Sequence, residues 1–321
     1  MAKFSDIINY TEPQPLKKGD LIGIAAPSSQ IEPKSVGAFV RLIEDMGYEV
    51  ILGETITSMK DRDYNSGTIS ERYEDFNAML KNREVRAIFA GAGGFGAQVT
   101  AQAIDYDAIK ADPKPIIGFS DTTFLLNAIT KTTGVRTFLG PTAEVVNMDA
   151  DKPSLELCMK FISGEIDGGF VYNNFDGSLI RRISQTAKYA QGPIVGGNLT
   201  MVQTTLGTPY QVDTKGKILV LEETGESSYS LERSIEHMFS AGMFDDCAAV
   251  VFGEFSNIQK EPVQSARDSS PSIYEILVKK FKNADYPVLI GYNFSHGTFN
   301  LTIPLGRMGK VNNLTREFIL L

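Results

Sequence analysis

Residues 115–128 read PIIGFSDTTFLLNA, and the spacing of apolar residues changes within this stretch. An apolar, strand-like run breaks at Gly118, polar residues follow from Ser120 to Thr123, and the next apolar residues recur at helical spacing. A strand that leads directly into a helix is typical of an α/β protein. The hydroxyl group of Ser120 lies at this junction, where it either caps the helix or acts as a nucleophile.

The same alternation continues on the N-terminal side of this stretch. Strand-like runs at 21–27, 48–53 and 85–91 are separated by segments with helical periodicity. Repeated alternation of this kind predicts a parallel sheet that is covered on both faces by helices. The segment AQVTAQAIDYDAI at 97–109 is predicted to form one of these helices.

The pattern changes near residue 165, where a segment rich in Gly, Asn and Asp begins. Beyond it, the apolar runs GKILVLEE, AAVVFGEF and YPVLIGYNF predict buried strands, and GRMGKVNNLTREFIL predicts two short antiparallel strands. We therefore predict an α/β protein with an N-terminal domain at 1–165 that carries the serine, a linker at 166–192, and a C-terminal β/α domain at 193–321.

Composition and charge limit the classes of function. The chain has 321 residues and a formal net charge of -8, which argues against a surface that follows the phosphates of a nucleic acid. Cys158 and Cys247 are far apart, so neither a disulfide framework nor a CxxC metal site is supported. The N-terminus lacks the apolar core of a secretory signal, and no run has the length of a membrane span. We expect a cytoplasmic protein with a small-molecule partner, and with no nucleic-acid partner, membrane partner or metal.

A glycine-rich turn follows the strand at 85–91. Gly91, Gly93 and Gly96 have the GxGxxG spacing of dinucleotide-binding proteins, after a strand and before a helix. Such proteins usually carry the motif in their first βα turn, whereas these glycines lie in the third of this chain. They indicate a nucleotide cofactor, a loop whose backbone amides bind another group, or only a tight turn.

The chain has only two histidines that could activate a serine. His237 lies among apolar residues of a predicted helix, which favours a structural role. His296 follows a buried strand, and catalytic groups of open α/β sheets lie outside the carboxyl ends of strands. The strand KILVLEE ends with Glu222 and Glu223, and either acid could orient an imidazole. With Ser120, these residues follow the order serine, glutamate, histidine of α/β-hydrolases, although the second glycine of GxSxG is absent.

Six blocks of the sequence carry a resemblance to a known family. In chain order they are PLKKGDLIGIAAPSS, AGAGGFGAQ, IIGFSDTT, GPIVGGNLTMVQTTLGTPY, ILVLEETGE with SLERSIEHM, and SHGTFNLTIPLG. From Pro15 to Gly306, this ordered set resembles the LD-carboxypeptidases of serine peptidase family S66. That family includes muropeptide LD-carboxypeptidases and the microcin C immunity peptidases.

The resemblance implies a catalytic triad of Ser120, Glu222 and His296, and it thereby separates Glu222 from Glu223. It also implies a flavodoxin-like N-terminal domain, a C-terminal domain of mixed strands and helices, a site at their interface, no cofactor, and a homodimer. The implied reaction is hydrolysis of an L-to-D peptide bond, with release of the terminal D-alanine from muropeptide tetrapeptides in cell-wall recycling.

The remaining parts of the predicted site follow from the chemistry of this reaction. We expect the backbone amides of Gly94 and Asp121 to stabilise the oxyanion. Gly93, Asn198 and Arg233 are predicted substrate contacts, and the arginine suits a terminal carboxylate.

Three positions depart from the family pattern. Glu223 replaces an aspartate, Thr142 stands where methionine is common, and Ser295 precedes the histidine where muropeptide enzymes more often have glycine and the microcin branch has serine. The alternatives are therefore a microcin-type immunity peptidase that cleaves an aminoacyl or peptidyl nucleotide, a nucleotide-dependent oxidoreductase, and a non-enzymatic protein that binds muropeptides or amides.

Overall fold

The computed structural model describes residues 10–58, 64–144, 152–259, 271–297 and 299–321. The strands are β1 (Leu21–Ala25), β2 (Glu49–Leu52), β3 (Val85–Ala90), β4 (Ile116–Gly118), β5 (Thr137–Leu139), β6 (Arg181–Arg182), β7 (Tyr189–Asn198), β8 (Ile218–Thr224), β9 (Ala249–Ser256), β10 (Val288–Tyr292), β11 (Ile303–Leu305), β12 (Met308–Asn312) and β13 (Glu317–Leu320). The helices are α1 (Pro33–Asp45), α2 (Glu54–Thr57), α3 (Ile69–Lys81), α4 (Ala97–Thr100), α5 (Tyr106–Ala111), α6 (Thr123–Thr133), α7 (Lys152–Ile162), α8 (Leu199–Thr204), α9 (Ser228–Ser240) and α10 (Ile273–Phe281). A 3₁₀ turn over Ser120–Thr122 joins β4 to α6.

The first sheet is built by the N-terminal half of the chain. Its strands β2, β1, β3, β4 and β5 lie side by side in that order, and all neighbours are parallel. This is the strand order of flavodoxin-like folds. The apolar runs of β1 and β3 are buried almost throughout, as expected for strands with helices on both faces. The predicted α/β class is confirmed.

The helices of this half form where their sequences dictate. In α1, Val36, Phe39 and Ile43 recur on one face and are buried, and proline occupies the first turn. In α3, Thr68 and Glu71 form a capping box that satisfies the first backbone N–H groups.

The second sheet contains the remaining strands except β11. Its order is β13, β12, β7, β8, β9, β10, β6, with β7 to β10 parallel and the outer strands antiparallel to their neighbours. The pair β12 and β13 confirms the two antiparallel strands predicted near the C-terminus. β8 is buried in six of its seven residues, so the two glutamates near its end lie in the core.

The structure differs from the sequence-based expectations in two places. The single helix predicted at 97–109 is wrong, because α4 ends at Thr100 and α5 begins at Tyr106. The side chain of Asp105 accepts a hydrogen bond from the Ala108 amide at 3.0 Å and so starts a new helix. The segment 166–192 contains β6 and the first residues of β7, so the second sheet begins within it, and the domain boundaries stay a prediction.

The two halves are joined by backbone and side-chain contacts. β11 pairs antiparallel with β5 and thus adds a strand from the C-terminal half to the first sheet. The side chain of Asn127 on α6 donates to the Gly196 carbonyl at 2.8 Å and accepts from the Gly196 amide at 3.1 Å. Among the described residues, no helix combines the length and apolar character needed to cross a membrane.

Candidate active site

The turn after β4 holds Ser120 in an unusual backbone conformation. Its φ of 58° lies in the left-handed region, which residues other than glycine seldom occupy. The next residues close the turn, since the Thr122 amide and hydroxyl donate to the Phe119 carbonyl at 3.2 and 2.7 Å. A serine on a strained strand-to-helix turn is the arrangement of nucleophiles in α/β-hydrolases. The serine predicted from the sequence therefore lies where its hydroxyl can be presented.

The glycine-rich loop packs directly against this turn. A Cβ atom on Gly93 would stand 2.8 Å from the Ser120 Cβ and 3.6 Å from the Asp121 amide nitrogen. The loop is held by Ser29, whose amide donates to the Gly93 carbonyl at 3.0 Å and whose hydroxyl accepts from the Phe95 amide at 3.1 Å. Gly94, with a φ of 92°, lies between these two bonds.

Asp121 ties the loop to the serine turn. Its carboxylate is buried and accepts a hydrogen bond from the Ala97 amide at the start of α4, at 2.8 Å. Burial raises the pKa of Asp121, against the opposing Ala97 hydrogen bond and the charge of Arg72. The loop, the serine and α4 therefore form one connected unit.

Glu222 and His296 meet in the second half of the chain. His296 Nδ1 and Glu222 Oε2 lie 2.7 Å apart, and Glu222 is completely buried. Glu222 lies in β8, and His296 follows β10 by four residues. The prediction that strand ends would bring these two residues together is confirmed for this pair.

Asn198 fixes both glutamates at the end of β8. Its Nδ2 atom donates to Glu222 Oε1 at 3.2 Å and to Glu223 Oε1 at 2.7 Å, while its Oδ1 atom accepts from the Met201 amide at 3.1 Å. The Thr200 amide donates to the other oxygen of Glu223 at 2.9 Å. Glu223 is thereby occupied by backbone and amide donors, and Glu222 is the one that contacts the imidazole. The side chain of Asn198 is committed to these partners, and its contact with substrate stays a prediction.

Two opposing effects act on the pKa of His296. Burial lowers it, but the hydrogen bond and charge of Glu222, with the charge of Glu223, outweigh burial and raise the pKa above 6.5. Burial raises the pKa of Glu222, against the hydrogen bond and charge of His296. The electrostatics therefore favour an imidazole that gains a proton readily.

The imidazole lies beside the serine turn of the other half. The rings of His296 and Phe119, the residue before Ser120, have centroids 4.7 Å apart. His296 Nε2 is buried and has no hydrogen-bond partner among the described residues, Ser120 included. The histidine side chain is 19% exposed, so solvent reaches only a small part of it. The site thus brings a hydroxyl-bearing turn close to a carboxylate-bound imidazole.

Other predicted residues lie elsewhere or remain untested. Arg233 is exposed on α9, where its guanidinium lies over the Tyr229 ring at 5.4 Å, and its binding of a carboxylate stays a prediction. His237 is exposed on the same helix and contacts Gln203, in agreement with a role outside the site. Thr142 is buried.

Sequence reasoning missed two residues beside the site. Phe119 was treated only as part of a strand, and Glu254 only as the end of the run AAVVFGEF. Glu254 accepts hydrogen bonds from Asn293 and Ser295, close to His296. A polar residue at the end of an apolar strand, next to the strand of Glu222, was the available signal.

Comparisons with known proteins identify the family. Residues 22–140 match the LD-carboxypeptidase N-terminal domain, and residues 191–311 match the LD-carboxypeptidase C-terminal domain. A Bacillus subtilis protein named "Probable murein peptide carboxypeptidase" is 31% identical, over 98% of this chain and 95% of its own. The microcin C7 self-immunity protein MccF of Escherichia coli is 29% identical, over 91% of this chain and 90% of its own. The structure of MccF in complex with aspartyl sulfamoyl adenosine superposes with a TM-score of 0.84 at 25% identity, covering 96% of this chain and 97% of that one. The chain belongs to the LD-carboxypeptidase family.

Proposed function

We propose that this protein is a serine carboxypeptidase that hydrolyses an L-to-D peptide bond of a murein peptide and releases the terminal D-alanine. The observation that carries the proposal is the buried 2.7 Å contact between Glu222 and His296, beside the strained turn of Ser120. Family membership and the murein peptide carboxypeptidase relative support the substrate class.

In the first step, Ser120 Oγ attacks the carbonyl carbon of the scissile bond. His296 Nε2 takes the serine proton, because Nδ1 is bound to Glu222. The C–N bond then breaks, and the imidazolium returns the proton to the leaving amine of the D-amino acid. Water attacks the acyl-enzyme by the same route in reverse. Hydrogen bonds between such groups often tighten only when substrate is bound.

Backbone amides around Ser120 stabilise the charge on the carbonyl oxygen in this proposal. The Asp121 amide lies at the first turn after the serine, and the glycine-rich loop packs against it. The amides of Gly94 and Asp121 act as the oxyanion donors, and the start of the helical segment adds a favourable dipole. Gly93 has no side chain, which lets the substrate and the loop backbone approach Ser120.

Substitution of the proposed nucleophile tests the reaction. The Ser120→Ala variant is expected to lose D-alanine release from murein tetrapeptide by about 10⁴-fold or more, since triad members act as a unit. His296→Ala should lose a similar factor, while Ser234→Ala on α9 serves as a control with the wild-type rate. A Ser120→Ala protein that is folded by circular dichroism and still releases D-alanine at the wild-type rate would overturn the proposal.

A second candidate function is cleavage of an aminoacyl or peptidyl nucleotide. Two observations favour it: Ser295 precedes the histidine, and MccF is a relative at 29% identity. Turnover numbers with murein tetrapeptide and with an aminoacyl nucleotide distinguish the two. We expect the tetrapeptide to be the better substrate, and Ser120→Ala to abolish both activities.

Location and assembly complete the proposal. We propose a cytoplasmic homodimer, in line with the family resemblance. Sedimentation equilibrium should give twice the 35.2 kDa mass of one chain, and a monomer at all concentrations would contradict the dimer.

A further inference from the structure

The strand next to Glu222 contains a β-bulge. Leu221 pairs with Phe252 and Glu223 pairs with Phe255, so Glu222 faces two residues of β9, namely Gly253 and Glu254. A bulge changes the direction of the side chains that it contains, and bulges are common beside active sites. This bulge carries a half-buried carboxylate that the proposed reaction does not use.

The Glu254 carboxylate holds the loop that carries His296. Its Oε2 atom accepts from the Ser295 hydroxyl at 2.7 Å, and its Oε1 atom accepts from the Asn293 side-chain amide at 3.0 Å. The Ser295 hydroxyl in turn accepts from the Gly297 amide at 2.9 Å. The residues on both sides of the histidine are therefore bound, directly or through Ser295, to one carboxylate.

Glycines make this close approach possible. A Cβ atom on Gly297 would stand 2.7 Å from Glu254 Oε2, and one on Gly253 would stand 2.9 Å from ring carbons of Phe294. Real Cβ atoms do not tolerate such distances, so both positions require glycine. The bulge of β9 and the loop after β10 are complementary in shape as well as in hydrogen bonding.

A further layer fixes Asn293 from the opposite side. Its amide donates to Asn174 Oδ1 at 2.9 Å, and its side-chain oxygen accepts from the Phe175 amide at 3.0 Å. Asn293 is 1% exposed and Ser295 is 1% exposed, so water does not replace these bonds easily. The loop has little freedom to move while Glu254 is in place.

We propose that Glu254 is a positioning residue that holds the His296 imidazole in reach of Glu222 and Ser120. This inference rests on the proposed function, because it assigns the histidine to proton transfer. The charges that raise the pKa of His296 are those of Glu222 and Glu223, so Glu254 acts through hydrogen bonds and not through its charge. A loop displaced by about 1 Å costs as much as 100-fold in rate.

The test measures kcat, KM and the pH profile of Glu254→Gln and Ser295→Ala. Each variant is expected to lower kcat by about 10- to 100-fold, with KM and the acidic limb of kcat/KM near their wild-type values. The double variant should lose no more than the worse single variant, because both changes release the same loop. Labelling of Ser120 by a fluorophosphonate probe, which needs no peptide substrate, should slow by the same factor.

A matched control separates this effect from general destabilisation. Glu275 accepts two hydrogen bonds from Ser272 in the capping box of α10, away from the histidine loop. Glu275→Gln should lower the melting temperature slightly and leave kcat and labelling at wild-type values. The inference is overturned if Glu254→Gln keeps the wild-type kcat and labelling rate, or if its loss equals its loss of folded protein. Activity that survives in Ser120→Ala overturns the proposed function itself, a result distinct from either.

Discussion

Two buried glutamates stand next to each other at the end of β8, and one neutral amide serves both. Adjacent carboxylates repel, and burial increases the cost of charging either. Asn198 donates to one oxygen of each, and backbone amides satisfy the rest of Glu223. This leaves Glu222 as an acceptor for the imidazole. Replacing Asn198 by a residue without donors would leave both acids without a partner that is present in the folded state.

The pKa of His296 gives a prediction for pH dependence. A general base must be neutral, so activity rises with pH through the histidine pKa, which lies above 6.5. Glu222→Gln removes the largest raising effect and leaves burial, which lowers the pKa. The acidic limb of kcat/KM should therefore move to lower pH, while kcat falls by about 10⁴-fold.

Glu236→Gln on the exposed side of α9 provides the control, with an unchanged limb. The measurement is kcat/KM between pH 5 and pH 9, a range of about two units around the reference value of the imidazole. A limb that stays in place or moves to higher pH in Glu222→Gln would show that Glu222 does not control the protonation of His296.

The residues of the site were predictable to different degrees. Ser120, Glu222 and His296 were found because each follows or ends an apolar strand, and the resemblance distinguished Glu222 from its neighbour. Glu254 could not be found in this way, since its role depends on a bulge and on contacts with a loop about forty residues later. Such contacts leave no periodic signal in the sequence.

The glycine-rich loop shows at the level of an element how the backbone supports the site. The spacing of Gly91, Gly93 and Gly96 fits a dinucleotide motif, but packing explains Gly93 without a cofactor. This residue allows the loop to lie against the Ser120 side chain, and the Asp121 carboxylate binds the start of α4. The same spacing therefore serves a loop that closes over a serine.

Gly93→Ala tests this packing. The new Cβ would stand 2.8 Å from the Ser120 Cβ and 3.1 Å from its hydroxyl oxygen, so the serine or the loop must shift. We expect kcat to fall by about 10- to 100-fold in a protein that remains folded. Gly37→Ala on α1 is the control, because its Cβ would meet only the Arg41 side chain at 3.6 Å. That change should raise stability by about 1 kcal/mol without an effect on kcat. Equal kcat values for the two variants would refute the packing argument.

Elements with a clear apolar stripe were predicted well, and short ones were not. α1, α3, α6, α9 and α10 lie where the periodicity placed them. The segment 97–109 also has helical spacing, but Asp105 caps a new helix inside it, and its amide donates to Asn77 Oδ1 at 2.7 Å. A contact with α3 thus decides the local structure, which periodicity within the segment cannot show.

At the scale of the whole molecule, the two halves of the site depend on the interface between the sheets. Ser120 belongs to one sheet, and Glu222 and His296 belong to the other. Asn127 joins them through both backbone groups of Gly196, and the Asn198 amide donates to the Thr123 hydroxyl at 3.1 Å. The relative position of serine and histidine is therefore set by buried polar contacts between α6 and β7.

Asn127→Ala should weaken this interface. It leaves the Gly196 N–H and C=O groups buried without partners, which costs about 3 kcal/mol in the free energy of unfolding. We expect a lower midpoint in urea and a lower kcat. Asn77→Ala is a matched control, since Asn77 bridges the Ala103 carbonyl and the Asp105 amide within one half of the chain. It should reduce stability less and leave kcat unchanged. Equal effects on kcat would contradict a special role of the interface.

The strand that completes the first sheet comes from Ile303–Leu305, near the end of the 321-residue chain. During synthesis, the nucleophile-bearing sheet emerges from the ribosome early, but its β5 edge stays open until almost the last codons are translated. An incomplete chain therefore exposes an unpaired strand edge, which invites association with other nascent chains and removal by proteases. A truncated product that carries the serine alone has no finished sheet, so the cell is spared a hydrolase without its base.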